Sequence, residues 1–165
     1  MHPDAAPDFV AWYEAEACRV LLTLRAALGD NSLAEESVAE AFARAFAQWT
    51  KVSVMKSPTG WVYRVALNYA RTQLRRHRRE LERSIQVYAG PVAPGPEPQD
   101  PIWSAVAELS PASRLAIALR YVADLEESEI ATLMRVSRGT VATTLHRARA
   151  SLAEKVHNNQ EEHMS

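Results

Sequence analysis

VSRGTVATTLHRARASL, residues 136–152, is the stretch that decides how the second half of this chain folds. On a helix, its apolar side chains fall within an arc of about 60°, and they are Val141, Leu145, Ala148 and Leu152. The opposite face carries small, polar or basic residues, which are Ala142, Thr143, His146, Arg147 and Ala150. Ser137 is a favourable N-cap, and the positive end of the helix dipole behind it is free to meet a phosphate. The pattern predicts a helix that packs by one side and approaches DNA by the other.

A shorter helix is predicted just before it, over about residues 126–134, within the sequence LEESEIATLM. Ile130 and Leu133 are its core positions, and only a few residues separate it from Ser137. Two helices joined by a short turn, the second with small exposed residues, are typical of a helix-turn-helix DNA-binding unit. Thr143 and Arg147 are suited to donate hydrogen bonds to base edges. A helical hairpin that packs on another protein stays open as the alternative.

A second candidate nucleic-acid surface lies on the helix predicted from Ser57-Pro58 to about Arg79. Its members fall within an arc of about 80°, and they are Trp61, Arg64, Asn68, Arg71 and Arg75. Guanidinium groups neutralise phosphates, an aromatic ring stacks on an unpaired base, and an amide reads a base edge. For this helix taken alone, a solvated charged face with Trp61 partly buried remains the alternative.

The chain predicts an all-α protein of two small helical domains joined by a Pro-rich linker. The linker, at 89–101, contains five prolines and two glycines, a density that favours an extended connector over helix or strand. The domains are predicted at 1–88 and 102–157, followed by a frayed tail at 158–165. One domain with a long surface loop is the alternative, although structureless loops of this length are uncommon in compact domains.

Capping signals predict three further helices, over about residues 8–28, 32–48 and 110–121. Gly29 is expected to end the first of them. A capping box of Ser32 and Glu35 is expected to open the second. Ser110, followed by a proline, is expected to open the third.

The formal net charge of −1 hides a segregated pattern. Residues 8–50 carry three arginines against seven acids, whereas residues 51–83 carry nine basic residues against two acids. Residues 135–155 carry five basic residues against one acid. Two basic patches suit phosphate binding, but the balanced total is not typical of a protein that coats nucleic acid unaided. A second partner is therefore expected to hold the chain on DNA.

Several functional classes are disfavoured by composition. There is no run of about 18 apolar residues, and the N-terminus lacks the basic start and apolar core of a secretory signal. We therefore expect no membrane span and a cytoplasmic protein. The five histidines and Cys18 show no metal-ligand spacing, and no catalytic grouping is apparent, so no metal, cofactor or enzymatic activity is expected. Cys18, among apolar neighbours, is expected to be a small core residue.

On these residues the chain resembles the extracytoplasmic-function group of bacterial RNA polymerase sigma factors, over about residues 8–155. The segments SRGTV and HRAR, within 137–149, are similar to the strongest motif of that family's region four. The segment AEESVAEAFARAF (34–46) is similar to the polymerase-binding helix of region two. The segment PTGWVYRVALNYARTQLRR (58–76) is similar to the helix that melts the promoter. The resemblance implies a region two bundle in the first domain and a region four helix-turn-helix in the second.

The resemblance also implies roles for particular residues. Contact with the β′ clamp helices of core RNA polymerase would involve Glu36, Glu40 and Phe42, and the β flap is implied as a further polymerase contact. Capture of the minus-ten element of promoter DNA would use the loop at about 49–57 with Trp61, Tyr63, Arg64, Asn68, Arg71 and Arg75. Reading of the minus-thirty-five element would use Arg138, Thr140, Thr143, His146, Arg147 and Arg149. An anti-sigma factor is implied only by the resemblance, and control by another regulatory protein stays equally open.

Five positions depart from the family pattern, and two of them, Glu36 and Ala39, replace a common Asp and a common Gln in the acidic motif of region two. Arg135 stands where the turn usually has glycine, so the turn is expected either to tolerate a side chain or to gain a phosphate contact. Ala142 and Thr144 stand where basic residues are common, which removes charge from the reading face. The sequence therefore predicts an alternative sigma factor that directs core polymerase to specific promoters and helps open them. A stand-alone helix-turn-helix regulator and a polymerase-binding adaptor stay open as alternatives.

Overall fold

The computed structural model describes residues 5–83 and 101–164, and every regular element within these ranges is helical. The prediction of an all-α fold is therefore confirmed. In chain order the helices are α1 (Ala5–Leu28), α2 (Asn31–Ala47), α3 (Trp49–Val52), α4 (Pro58–Arg83), α5 (Pro101–Ala107), α6 (Pro111–Ile117), α7 (Glu127–Met134) and α8 (Arg138–Met164). A π-helical turn over Ala118–Val122 continues α6. The predicted linker lies outside the described residues except at Pro101, which begins α5.

The predicted helix starts at Ser57, Ser110 and Ser137 are confirmed. Each hydroxyl accepts a hydrogen bond from the backbone N–H three residues later, at 3.0, 3.4 and 3.1 Å respectively. These bonds satisfy one of the amides that a helix leaves unpaired in its first turn. Gly29 follows α1 with a φ of +65°, a left-handed conformation that glycine adopts without a Cβ clash.

The predicted capping box at Ser32 is wrong. Helix α2 begins at Asn31, because the Asp30 carboxylate accepts a hydrogen bond from the backbone N–H of Leu33 at 2.9 Å. The second half of the predicted box, Glu35, instead accepts a hydrogen bond from the guanidinium of Arg25 at 2.6 Å. An aspartate two residues upstream thus takes the capping position, and the glutamate ties α2 to α1.

Helices α1, α2 and α4 pack together as the first helical body, with the short α3 beside them. Leu24 of α1, Ala41 of α2 and Val62 of α4 are completely buried between them. An aromatic cluster strengthens the contact of α1 with α2 and α3. The centroid of the Trp12 ring lies 5.3 Å from the ring centroid of Phe42 and 4.8 Å from that of Trp49.

The second helical body, α5 to α8, contains the predicted helix-turn-helix. Ile130 of α7 and both Val141 and Leu145 of α8 are completely buried, as the apolar pattern predicts. The two bodies are in contact, because α1 also packs against α6 and the π-helical turn, and one continuous core includes residues of both. Four apolar residues within 20–24 make α1 apolar over more than one narrow face, which gives it a second packing side.

Four local features differ from the sequence predictions. The predicted frayed tail is wrong, since α8 continues to Met164. Helix α5 is new, and the helix opened at Ser110 changes to π geometry after Ile117. Cys18 is exposed rather than a core residue. Within the described ranges, no helix combines the length and apolar character needed to cross a bilayer.

A buried hydroxyl pair joins α1 to α4. The Tyr63 side chain is completely buried, and its hydroxyl lies 3.1 Å from that of Thr23, which in turn donates to the carbonyl of Arg19 at 2.8 Å. Because the Thr23 proton is used in that bond, the Tyr63 hydroxyl is the donor to Thr23. Burial raises the pKa of the Tyr63 hydroxyl above its usual value of 10.0.

Tyr63→Phe is expected to lower the free energy of unfolding by about 0.5–1.5 kcal/mol near neutral pH, since one hydrogen bond is lost. The native protein should also lose stability as pH rises above 10.0, because the unfolded tyrosine then ionises while the buried one holds its proton. Urea unfolding at pH 7, 9 and 10.5 measures both effects. The difference in free energy of unfolding between the wild type and Tyr63→Phe should be smaller at pH 10.5 than at pH 7. A difference that is the same at all three pH values would contradict this account.

Candidate nucleic-acid interface

Helix α8 turns its predicted reading face to solvent. All the residues predicted to read the minus-thirty-five element are exposed, and they are Arg138, Thr140, Thr143, His146, Arg147 and Arg149. Val141 and Leu145 fix this orientation, because both are completely buried on the other side of the helix. The core of the second body thus holds one basic and polar face outward, along the helix that follows the short turn.

Local contacts hold part of this face in place. The Thr143 hydroxyl donates to the carbonyl of Gly139 at 3.0 Å. The Arg149 guanidinium lies 5.6 Å from the ring centroid of Tyr121 and donates to its hydroxyl at 2.5 Å. Arg147 forms no hydrogen bond or ion pair with another residue in the described part of the chain. Its guanidinium is therefore available to a ligand, as is that of Arg138, which is likewise exposed.

The minus-ten stripe of α4, defined as Trp61, Arg64, Asn68, Arg71 and Arg75, is graded in exposure. Arg64 and Arg75 are exposed, whereas Trp61, Asn68 and Arg71 are half-buried. Trp61 packs against the core by part of its ring. The stripe therefore combines an anchored aromatic ring with arginines at the surface, which is an arrangement suited to an unpaired strand.

Part of the stripe is covered by the second helical body. The Arg71 guanidinium donates to the carbonyl of Leu133 at 2.9 Å, and the Arg135 guanidinium donates to Asn68 Oδ1 at 2.7 Å. Arg71 also donates to the same Asn68 oxygen at 3.2 Å. Burial lowers the pKa of Arg71, and the positive charges of Arg135 and Arg75 lower it further. The amide oxygen of Asn68 is thus fully engaged inside the protein.

Two aromatic residues that were predicted near the minus-ten strand lie in the core. Tyr63 is completely buried, which contradicts a direct contact of its side chain with DNA in this conformation. Trp49 is only 8% exposed and begins helix α3, so the predicted loop is shorter than expected. The rest of that loop displays apolar residues instead, since Val54 is 81% and Met55 is 40% exposed. These two side chains lie in the segment that leads into the start of α4.

The acidic face of α2 shows where two of the three predicted polymerase contacts lie. Glu36 is exposed, and Glu40 is partly exposed and paired with Arg44 at 2.6 Å. Phe42 is only 4% exposed and packs among the aromatic residues of α1, which contradicts its prediction as a surface contact. Its position between α1 and α2 gives it a structural role in orienting the acidic face.

Sequence reasoning missed Tyr69, which ties the acidic face to α4. Its hydroxyl donates to Glu36 Oε1 at 2.5 Å, and this bond raises the pKa of the Tyr69 hydroxyl. The helical pattern places Tyr69 on the packed side of α4, away from the stripe, so a polar partner was not expected. Because the two residues are 33 positions apart, only the packing of α2 on α4 reveals the pair.

Two family comparisons cover most of the chain. Residues 12–80 match the family described as Sigma-70 region 2, and residues 99–152 match the family described as Sigma-70, region 4. The first match includes the acidic face of α2 and most of α4, and the second includes α7 and the first half of α8. The two matches therefore fall on the two surfaces described above.

The individual proteins that this chain resembles are also sigma factors. The ECF RNA polymerase sigma factor SigW of Bacillus subtilis is 26% identical over 170 residues, which cover 93% of this chain and 89% of that protein. The RNA polymerase sigma-E factor of Streptomyces coelicolor is 24% identical over 152 residues, covering 90% and 86%. The sigma factor RpoE of Bartonella quintana, solved in complex with the anti-sigma factor NepR, superposes with a TM-score of 0.75 at 21% identity. That superposition covers 90% of this chain and 96% of the solved one, so the two share a fold.

Proposed function

This chain belongs to the extracytoplasmic-function group of RNA polymerase sigma factors and directs RNA polymerase to particular promoters, and we propose that it recognises them through two separate surfaces. The exposed face of α8 reads the minus-thirty-five element in the major groove. The stripe on α4 takes the separated minus-ten strand. The proposed domains are the region two bundle over 1–88 and the region four unit over 102–157.

The observation that supports this proposal most strongly is that α8 buries its apolar side and exposes its basic and polar side. Val141 and Leu145 are completely buried, while Arg147 and His146 on the other side are exposed and follow the short turn after α7. This is the arrangement by which a recognition helix enters the major groove with its backbone held by a small core. Thr143 and Arg147 would donate to base edges, and Arg138 and Arg149 would lie near phosphates.

Promoter opening is proposed to follow from binding energy at the α4 stripe. The Trp61 ring offers a stacking surface for an unpaired base, and Val54 and Met55 display apolar groups just ahead of it. Base–aromatic stacking contributes about 1–3 kcal/mol per base, which offsets the few kcal/mol lost when a base leaves the duplex. Arg64 and Arg75 would neutralise phosphates of the same strand.

Core RNA polymerase is the proposed main partner. The carboxylates of Glu36 and Glu40 would meet the β′ clamp helices, with region four on the β flap, and the polymerase would supply all the chemistry. We propose that this chain contributes no catalytic group and acts in the cytoplasm, on the nucleoid when bound to polymerase. An anti-sigma factor or another regulatory protein is proposed as a further partner, supported by the shared fold with a sigma factor solved on such a partner.

Arg64→Ala tests the minus-ten assignment, because Arg64 is exposed and has no role in the core. Loss of one phosphate contact should weaken holoenzyme binding to a minus-ten single strand several-fold at low salt. It should also flatten the slope of log K against log salt by about 0.7. Open-complex formation, followed by permanganate reactivity of promoter thymines, should fall in parallel.

Arg19→Ala is the matched control, since it removes the same charge from an exposed arginine of α1 that is assigned to no DNA surface. An Arg64→Ala holoenzyme whose salt slope and permanganate pattern equal those of Arg19→Ala would contradict the minus-ten assignment.

A further inference from the structure

Arg135 ends helix α7 in a conformation that its side chain makes costly. It has a φ of +60° and a ψ of +43°, in the left-handed region that glycine tolerates and other residues rarely adopt. The turn therefore does not avoid the usual geometry of this position but adopts it with an arginine. A non-glycine residue in this region costs of order 1 kcal/mol or more and persists only where surrounding contacts fix it.

The contact that Arg135 makes is with the other helical body. Its guanidinium donates to Asn68 Oδ1 at 2.7 Å, across 67 positions of sequence. Beside it, Arg71 donates to the carbonyl of Leu133, at the end of the same helix α7. A glycine at position 135 would keep the turn but have no group that reaches α4. The arginine thus converts a turn of the helix-turn-helix into a link to the minus-ten stripe.

The link engages the groups that the minus-ten proposal needs. The Asn68 amide oxygen accepts hydrogen bonds from both Arg135 and Arg71, so it is not open to a base edge. Arg71 is half-buried and uses one nitrogen on a backbone carbonyl, so it is not open to a phosphate. The closed contact and a bound strand therefore compete for the same atoms.

Repulsion between like charges weakens the contact between α4 and α7. Three guanidinium groups, those of Arg71, Arg75 and Arg135, repel one another there, and the two neighbours contribute to the lowered pKa of Arg71. The contact of α4 with α7 is also much smaller than the apolar packing of α1 against α6. A negatively charged strand relieves the repulsion, whereas the larger interface keeps the protein folded when this contact separates.

We propose that Arg135 and Asn68 form a latch that closes the end of α7 over the minus-ten stripe and holds the free protein in a state that binds single-stranded DNA poorly. The blocking of DNA rests on the minus-ten proposal above, whereas the latch itself does not. A strand that enters the stripe replaces Arg135 at Asn68, so binding and opening are coupled. The latch thus limits unproductive strand binding by the free protein.

The first test measures the latch without DNA. In a Cys18→Ser background, spin labels at Leu74→Cys and Thr132→Cys, both exposed positions on α4 and α7, report their separation by pulsed electron resonance. Arg135→Gly and Arg135→Ala should both add a longer-distance population that is absent or several-fold smaller in the wild type. Arg19→Ala, which removes one charge from an exposed position on α1, should leave the distribution unchanged. Distributions identical in all four proteins would overturn the latch.

The second test measures its consequence on a fluorescent single-stranded oligonucleotide carrying a minus-ten sequence. Arg135→Gly should bind about threefold to tenfold more tightly than the wild type, despite losing a positive charge, because the competent fraction rises. Adding Arg64→Ala should weaken binding in both backgrounds. If the distance lengthens but Arg64→Ala changes nothing, the minus-ten proposal fails and the latch stands. If Arg64→Ala weakens binding but Arg135→Gly neither lengthens the distance nor tightens binding, the latch fails alone.

Melting temperatures distinguish the two effects of replacing Arg135, which are relief of backbone strain and loss of the guanidinium contact. Arg135→Gly relieves the left-handed backbone whereas Arg135→Ala does not, so the glycine variant should have the higher melting temperature of the two. Both should nevertheless open to the same extent, because both lack the guanidinium. Opening confined to the alanine variant would mean that backbone strain, rather than the Asn68 contact, controls the separation, and would overturn the proposal.

Discussion

Leu145→Ala is expected to lower the free energy of unfolding by about 2–5 kcal/mol. Leu145 is completely buried in α8, and its truncation leaves a cavity in the core that also contains Val141 and Ile130, which are equally buried. Such a loss is a large share of a marginal stability of roughly 5–15 kcal/mol. Calorimetry and urea unfolding of the full chain measure it.

The same variant should bind all promoters less well, because the recognition helix loses its support. The loss of promoter binding should be largest at high temperature and should not depend on the sequence of the minus-thirty-five element. A cost below about 0.5 kcal/mol, the range typical of surface substitutions, would show that the core under α8 differs from the one described.

Arg147→Ala, two positions further along the same helix, is expected to have the opposite profile. Its exposed side chain supports no core, so stability should stay within about 0.5 kcal/mol of the wild type. Recognition of the minus-thirty-five element should weaken by about 1–3 kcal/mol, or roughly fivefold to hundredfold. Transcription by the reconstituted holoenzyme from a native promoter and from one with a scrambled upstream element measures the difference.

Two variants decide how Arg147 acts. Arg147→Lys keeps the charge but loses the planar fork of the guanidinium, so it should lose discrimination and keep the salt dependence. Equal losses for Arg147→Ala on native and scrambled upstream DNA would mean that Arg147 touches only phosphate.

Much of α8 was predictable because its determinants are local. The positions of Val141 and Leu145 follow from helical periodicity, and the Ser137 cap depends on an amide three residues away. The exposed face opposite them follows from the same periodicity. Elements whose determinants lie within one or two turns of helix are thus readable from the sequence.

Other features depend on partners far away in the chain. Tyr63 has the type and position of a DNA-contacting aromatic residue, but its hydroxyl pairs with Thr23 of α1, so it lies in the core. The packing of α1 on α6, which brings the two bodies together, involves residues separated by most of the chain. Sequence periodicity shows that a face is apolar but does not show which helix covers it.

Arg135 combines both situations. Its departure from glycine was visible in the sequence, together with the expectation of a tolerant turn or a phosphate contact. The structure shows neither a different turn nor a free side chain, because the guanidinium bonds to Asn68 across the two bodies. The unusual residue type was thus visible in the sequence, but its contact with α4 could be seen only in the folded structure.

The most direct test of the central account is run-off transcription with purified core RNA polymerase and this protein on a pool of genomic fragments from the source bacterium. The account predicts discrete transcripts that require this protein, with start sites that align to one upstream and one downstream element. Tight binding of the free protein to duplex DNA, with no association with core polymerase and no new transcripts, would contradict it.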